Sequence, residues 1–237
     1  METPKVACTT IKTLLQRWEC GERIALPDPH DKRSSPLLSP KDSPRLFLKA
    51  LYAPYFFRFC FVRNPFSRIL SCYVDKLFTK FPPMYAEHLR VQRPSHADDI
   101  NAVDFLRLLV NDPSRAKEMG PASGLSFLEF LRILGDPEII ASNTHWRPQS
   151  ELLSVGHIKY DFIGKLERFS EDWEVVCRAI GVKPEPTKRQ PHAVGASRLI
   201  ETFYGNDEIA EVISLYRMDF ENFEYQKSLD TLAGVIG

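Results

Sequence analysis

The chain has 237 residues, 43% of them hydrophobic, and its 31 Lys and Arg balance its 31 Asp and Glu, so its formal net charge is zero. That length supports one substantial core, read as a single domain over 1–237, and the balanced charge excludes a global field for nucleic acid or an anionic membrane surface. Five cysteines, without CxxC or metal-ligand spacing, argue against a zinc site, their odd number excludes complete intrachain pairing, and the absence of an apolar run of about 18 residues or a signal-peptide core reads as a soluble chain.

The opening METPKVACTTIKTLLQRWE predicts a helix over about 9–23 with Ile11, Leu14, Leu15 and Trp18 on its apolar face and Thr9 or Thr10 as its cap. Lys5, a run of small residues and a helix start make an anion cradle, because amides without intrahelical acceptors and the positive end of the helix dipole converge there. The pattern GxxxxGK[ST] is absent, so this is not a Walker A loop. A proline- and serine-rich loop over 27–44 and a short apolar helix over 44–52 follow.

FRFCFVRNPFSRILSCYVDKLF, from 57 to 78, reads as a buried strand, a tight Arg-Asn-Pro junction and an amphipathic helix. Asn64 suits the N-cap and Pro65 the first helical position. Phe66, Ile69, Leu70, Tyr73 and Leu77 share one face; Ser67, Arg68, Ser71 and Asp75 fall on the other, which is expected to be free for chemistry. Arg63 stands at the carboxyl end of the strand, where open α/β sheets bind ligands, and its planar fork suits a phosphate, with Ser71 adding a hydroxyl. An ordinary turn with solvated arginines fits the same residues. Positive charge is local, at Lys5, Lys12 and Arg17 and at Arg58, Arg63 and Arg68, which favours a small anionic ligand.

Further along, 82–94 reads as irregular and 102–110 as a helix with Val103, Leu106 and Val110 inward. Ser126 and Glu129 form a capping box ahead of Phe127, Phe130, Leu131 and Leu134. Short strands are expected at 139–141 and 162–164. Ser170 is expected to cap a helix that ends at Ile180 before Gly181, and a helix from near Asn206 is expected to bury Ile209, Val212, Ile213, Tyr216 and Phe220. The segment KPEPTKRQPHAVGAS at 183–197 is too rich in proline to be regular.

PKVACTTIK at 4–12 and FVRNPFSRILSCY at 61–73 resemble, in this order, the 5′-phosphosulfate and 3′-phosphate motifs of sulfotransferases that use 3′-phosphoadenosine 5′-phosphosulfate (PAPS). The nearest pattern is that of the carbohydrate sulfotransferases of chondroitin 4-O and HNK-1 type, written PKVGCTxWK and FVRxPFxRxxSxY. NTHWRPQSELL at 143–153, HIKYDFIGKLE at 157–167 and LYRMDFENFEYQ at 215–226 resemble later motifs of the same family.

The resemblance implies a P-loop-like three-layer α/β fold with a central, mostly parallel sheet flanked by helices. It also implies PAPS as co-substrate, a carbohydrate hydroxyl as acceptor and no metal. Lys5 would contact the phosphosulfate and stabilise the leaving oxygen, Ala7, Cys8, Thr9 and Thr10 would supply backbone and hydroxyl donors, and Arg63 and Ser71 would bind the 3′-phosphate. His145 is the candidate base, since imidazole titrates near neutrality, with Glu151 and Glu167 as carboxylate alternatives. A packed histidine beside Trp146 is the competing reading. Arg147 would grip an acidic acceptor, or is a surface arginine. Lys188, Arg189 and His192 are weaker contact candidates, after the late loop that closes over the nucleotide in sulfotransferases.

Several departures from the family pattern matter. Three residues precede Pro4, a span of at most roughly 10 Å, so the strand that usually leads into the lysine cradle is expected to be truncated. Alanine replaces glycine at position 7, a change expected to be tolerated unless the backbone there needs positive φ. Leu153 and Gly156 stand where Golgi relatives carry a cysteine pair, which suggests a reducing, cytoplasmic setting and a bacterial-type member; a Golgi lumenal enzyme is the alternative if the chain is truncated. The competing functions are a nucleotide-binding module without catalysis and, less well supported, a P-loop phosphotransferase. The oligomeric state cannot be read from the sequence.

Overall fold

Two parallel strands, β1 (Phe59–Val62) and β2 (Phe162–Lys165), pair in the register Phe59 with Phe162 through Val62 with Lys165. In this computed structural model the described residues are 3–21, 28–31, 33–78, 126–184 and 196–230. Clustering by contact divides the chain into a first unit, Met1–Arg63 with Leu153–Pro191, and a second unit, Asn64–Leu152 with His192–Gly237. The architecture is α/β, with the parallel strand pair flanked by helices.

In the first unit, helices α1 (Cys8–Glu19) and α7 (Phe169–Ile180) cover the strands. Val6, Leu14, Phe61, Trp173, Val176 and Cys177 form the buried centre, with Ile11, Leu15, Trp18 and Phe162 packed against it. Trp18 stacks on Trp173 with ring centroids 5.3 Å apart. Gly164 stands opposite Phe61, and a Cβ there would lie 2.4 Å from the Phe61 ring, so this strand position has room only for glycine. Arg58 and Asp161 fasten the start of both strands: the carboxylate accepts from Arg58 N, Nε and Nη2 at 2.8 to 2.9 Å. At the other end Asp172 accepts from Lys165 N at 2.6 Å, tying β2 to α7. Ser170 lies inside α7 rather than at its cap, which is Arg168, while Gly181 ends the helix with φ 76°, the left-handed conformation glycine adopts without steric cost. Helix α2 (Pro44–Tyr52) forms as expected and buries none of its residues.

The second unit is built around α3 (Pro65–Tyr73), which continues into a π-helical turn at Val74–Phe78. Asn64 caps α3 by accepting from Phe66 N at 3.0 Å, and Pro65 takes the first position. The expectation of one free helical face is overturned. All nine residues of α3 are buried, with Ser67 at 4%, Arg68 at 1% and Ser71 at 6% exposure. Two of these polar residues are accommodated by backbone partners: Ser67 Oγ donates to Asn64 O, and the Arg68 guanidinium donates to two carbonyls described below.

Around α3 pack α4 (Phe127–Ile133), α8 (Ala196–Phe203), α9 (Asn206–Leu215) and α10 (Arg217–Asn222), burying Phe127, Phe130, Tyr204, Val212, Tyr216 and Phe220. The Ser126–Glu129 capping box is present at α4, with Ser126 N donating to Glu129 Oε2 and Glu129 N to Ser126 Oγ. The strand expected at 139–141 is instead a helix, α5 (Pro137–Ser142). Asp136 Oδ1 accepts from Glu138 N and Pro137 holds the first position, so local start signals override the β preference of two isoleucines. The helix expected from Asn206 through Phe220 breaks at Tyr216, whose φ of −113° and ψ of 24° lie outside helical values. The irregular stretch 82–94, the helix 102–110 and the contacts Lys188, Arg189 and His192 fall outside the described residues.

Candidate active site

The cradle expected at the start of the chain is a turn in the first unit. Lys5 has φ 68°, and Ala7 has φ 50° with ψ 26°, so both occupy the left-handed region; Val6 between them is buried at 1%. Ala7 is therefore at a position that does require positive φ, and the alanine is held there at a cost of about 1–2 kcal/mol relative to glycine's freedom. Ala7 is also the N-cap of α1, and no side chain caps the helix. Neither Thr9 nor Thr10 does so, because α1 begins at Cys8 and both lie inside its first turn, which carries no acidic residue. Helix geometry gives the amides of Cys8, Thr9 and Thr10 no acceptor within α1, and the dipole adds positive potential at the same place.

Arg63 leaves β1 at its carboxyl end, half-buried, and Nη1 donates to the Lys5 carbonyl at 3.2 Å. One of the two motifs thus reaches the other within a single unit. The other arginines of the local positive cluster are differently employed. Arg58 is held by Asp161, whose carboxyl is pushed below its usual range, first by the side-chain hydrogen bond from Arg58 and then by the Arg58 backbone amide. Arg68 is sequestered in the second unit, where burial lowers its pKa and so disfavours its charge.

Ser71, His145 and Arg147 belong to the second unit. There the HWRPQ segment is clamped from several sides. Arg68 donates through Nη1 to Arg147 O at 2.9 Å and through Nη2 to Thr144 O at 3.0 Å. Tyr216 Oη donates to Trp146 O at 2.6 Å, and Trp146 Nε1 donates to Ile139 O at 2.8 Å. Asp219 accepts from Gln149 N at 2.8 Å and Ser150 N at 2.7 Å, which satisfies the first amides of the short helix α6 (Gln149–Leu152).

His145 is presented by this clamp. Asn143 Oδ1 accepts from His145 N at 2.9 Å and lies 2.8 Å from Nδ1. Since that oxygen can only accept, Nδ1 carries the proton and the lone pair of the neutral ring sits on Nε2, the arrangement of a base oriented by a third group. Arg147 turns back on its own segment, with Nη2 donating to Ala141 O and Nε buried without a hydrogen-bond partner among the described residues. Glu151 is exposed and Glu167 half-buried, the latter in the first unit.

Sequence reasoning did not single out Asn143, nor the supporting roles of Arg68, Tyr216 and Asp219. Their signal was present in the motifs themselves: Arg68 stands in FVRNPFSR, and Tyr216 and Asp219 in LYRMDF. Among the described residues no three His, Cys, Asp or Glu side chains gather as a metal site, and no helix is long and apolar enough to cross a membrane. Cys60 is buried in β1, which pushes its thiol pKa up to about 12 and keeps it protonated.

The model described as "Sulfotransferase family" matches residues 1–226, and the chain belongs to that family. It is similar to carbohydrate sulfotransferase 12 of Mus musculus, with 29% identity across 94% of this chain and 57% of that protein. It is also similar to carbohydrate sulfotransferase 11 of Rattus norvegicus, with 26% identity across 94% of this chain and 62% of that protein. Carbohydrate sulfotransferase 14 of Danio rerio is 32% identical across 54% of this chain and 30% of its own length. The chain therefore spans about three-fifths of the length of the first two relatives. No solved structure matches.

Proposed function

We propose that this chain is a PAPS-dependent sulfotransferase that moves a sulfuryl group to a hydroxyl of a carbohydrate acceptor by in-line displacement. Family membership and the names of the relatives support the reaction and acceptor class. The observation that carries the reading is the hydrogen bond from Arg63 Nη1 to Lys5 O, which sets the guanidinium of one motif beside the lysine turn of the other. A donor phosphorylated at both ends of its ribose calls for two adjacent cationic cradles, and a guanidinium fork suits the 3′-phosphate.

Sulfuryl transfer, like phosphoryl transfer, leaves little covalent work to the protein. In this reading the donor's phosphosulfate takes the amides of Cys8, Thr9 and Thr10 at the start of α1, with Ala7 completing the turn. The Lys5 ammonium neutralises the charge that develops on the bridging oxygen as the S–O bond breaks. From its motif, His145 Nε2 is assigned to take the proton from the acceptor hydroxyl as its oxygen bonds to sulfur. On the motif alone, Ser71 is assigned to the 3′-phosphate and Arg147 to an acidic group of the acceptor.

The reading is tested by offering donor labelled in its sulfuryl group to the full chain with a panel of sulfated and unsulfated oligosaccharides. Label on an oligosaccharide, lost in Lys5→Ala while 3′,5′-adenosine bisphosphate still binds, is the expected result. Binding of the bisphosphate with no transfer to any acceptor points instead to a nucleotide-binding module.

A further inference from the structure

The loop that follows α1 returns along one stripe of that helix. Thr9, Lys12 and Gln16 share the stripe, spaced by three and four residues. Gln16 is buried at 3%, and its Nε2 donates to Pro29 O at 3.0 Å and Ser35 Oγ at 3.1 Å, which fastens the loop to the helix. The His30 amide donates to Asp28 Oδ1 at 2.8 Å, fixing the loop locally. So held, the His30 ring spans the stripe, with Nε2 3.0 Å from Thr9 Oγ1 and Nδ1 3.3 Å from Lys12 Nζ.

The partners set the roles. An ammonium donates and never accepts, so Nδ1 accepts from Lys12 and the ring proton sits on Nε2, which donates to Thr9 Oγ1. A hydroxyl that accepts this bond is left with its own proton to give to another acceptor. Thr9 is the second residue of α1, beside the amides to which the donor's phosphosulfate has been assigned.

We propose that His30 is a positioning residue of the donor site: it orients the Thr9 hydroxyl as a proton donor to the 5′-phosphate end of the nucleotide and holds the Lys12 ammonium beside it. The inference rests on the reading that the first turn of α1 holds the sulfuryl donor, and it adds to that site a loop residue 21 positions from Thr9.

The test is calorimetric titration of 3′,5′-adenosine bisphosphate into the full chain and into Thr9→Ala, His30→Ala, the double variant, His30→Gln and Arg63→Ala, with circular dichroism to verify folding. Loss of one hydrogen bond to a charged group predicts about tenfold weaker binding in each of Thr9→Ala and His30→Ala. The double variant is expected to bind no more weakly than the worse single, because the two residues act as one unit. His30→Gln, whose amide also offers an acceptor and a donor, is expected to keep most of the affinity. Unchanged binding in His30→Ala, or effects that multiply in the double variant, would overturn the proposal. If Arg63→Ala weakens binding while His30→Ala does not, His30 alone is misassigned; if neither has an effect, the donor-site reading fails with it.

Discussion

Arg63 and Lys5 lie 58 residues apart in sequence, and the guanidinium of the first donates to the carbonyl oxygen of the second at 3.2 Å. The bond uses the Lys5 backbone, so the position of Arg63 depends on the left-handed turn more than on the lysine side chain. Lys5→Ala is therefore compatible with an intact turn, and rate and binding can be separated by substitution.

The turn itself carries strain that glycine would relieve. A left-handed alanine costs about 1–2 kcal/mol, and glycine returns about 0.4–1 kcal/mol of that through the entropy of the unfolded chain. Ala7→Gly is expected to raise the unfolding free energy by a net of roughly 0.5–1 kcal/mol, read as a higher urea midpoint at an unchanged slope. A lowered midpoint would mean that the Ala7 methyl packs usefully where it stands.

Arg68 should behave as a structural residue. Arg68→Met removes the donors to Thr144 O and Arg147 O and the cation that faces Asp219. Truncating one partner of such a buried arrangement costs about 3 kcal/mol or more. Urea unfolding measures it, and a loss below about 1 kcal/mol would show that the clamp on HWRPQ does not depend on Arg68.

His145→Ala is expected to leave bisphosphate binding within about twofold and to lower transfer by about 10²- to 10⁴-fold, the usual contribution of a general base. Asn143→Ala, which removes the acceptor that holds Nδ1, should lower transfer without altering nucleotide affinity. Normal turnover of His145→Ala in the labelled-donor assay would move the base elsewhere.

Asp161 gives the fold a defined acid sensitivity. Its folded pKa lies below the ordinary value of 3.8, chiefly through the Arg58 hydrogen bond, so its contribution is fully present above that ordinary value and is lost as pH falls through the lower folded one. Asp161→Asn should melt below the parent chain at pH 7, and the gap should narrow as both are taken below pH 3.8. A gap that stays constant across this range would mean that the carboxylate's charge is not what fastens the two strands.

Much of the local structure was legible because it depends on neighbours in sequence. Asn64 with Pro65, Ser126 with Glu129, and Gly181 after Ile180 each mark a helix boundary by short-range chemistry. The same kind of signal, Asp136 before Pro137, marks α5, but the β-branched pair Ile139 and Ile140 drew the reading toward a strand. Burial of Arg68 and Ser71 was not legible, since helical periodicity separates faces without knowing that a second layer covers the polar one. Nor was the His30 bridge, whose partners lie 18 and 21 residues away and meet only when Gln16 fastens the loop. For the candidate site, residue types and motif order point to Lys5, Arg63 and His145 as candidates; the left-handed backbone at Ala7 and the hydrogen bonds between Asn143 and His145 are three-dimensional facts.

The most direct test of the account is titration of 3′,5′-adenosine bisphosphate into the full chain and into Arg63→Ala. Removal of a bidentate guanidinium from a phosphate predicts binding weaker by about tenfold or more. Affinity equal to that of the parent chain would contradict the claim that Arg63 and the Lys5 turn hold one nucleotide.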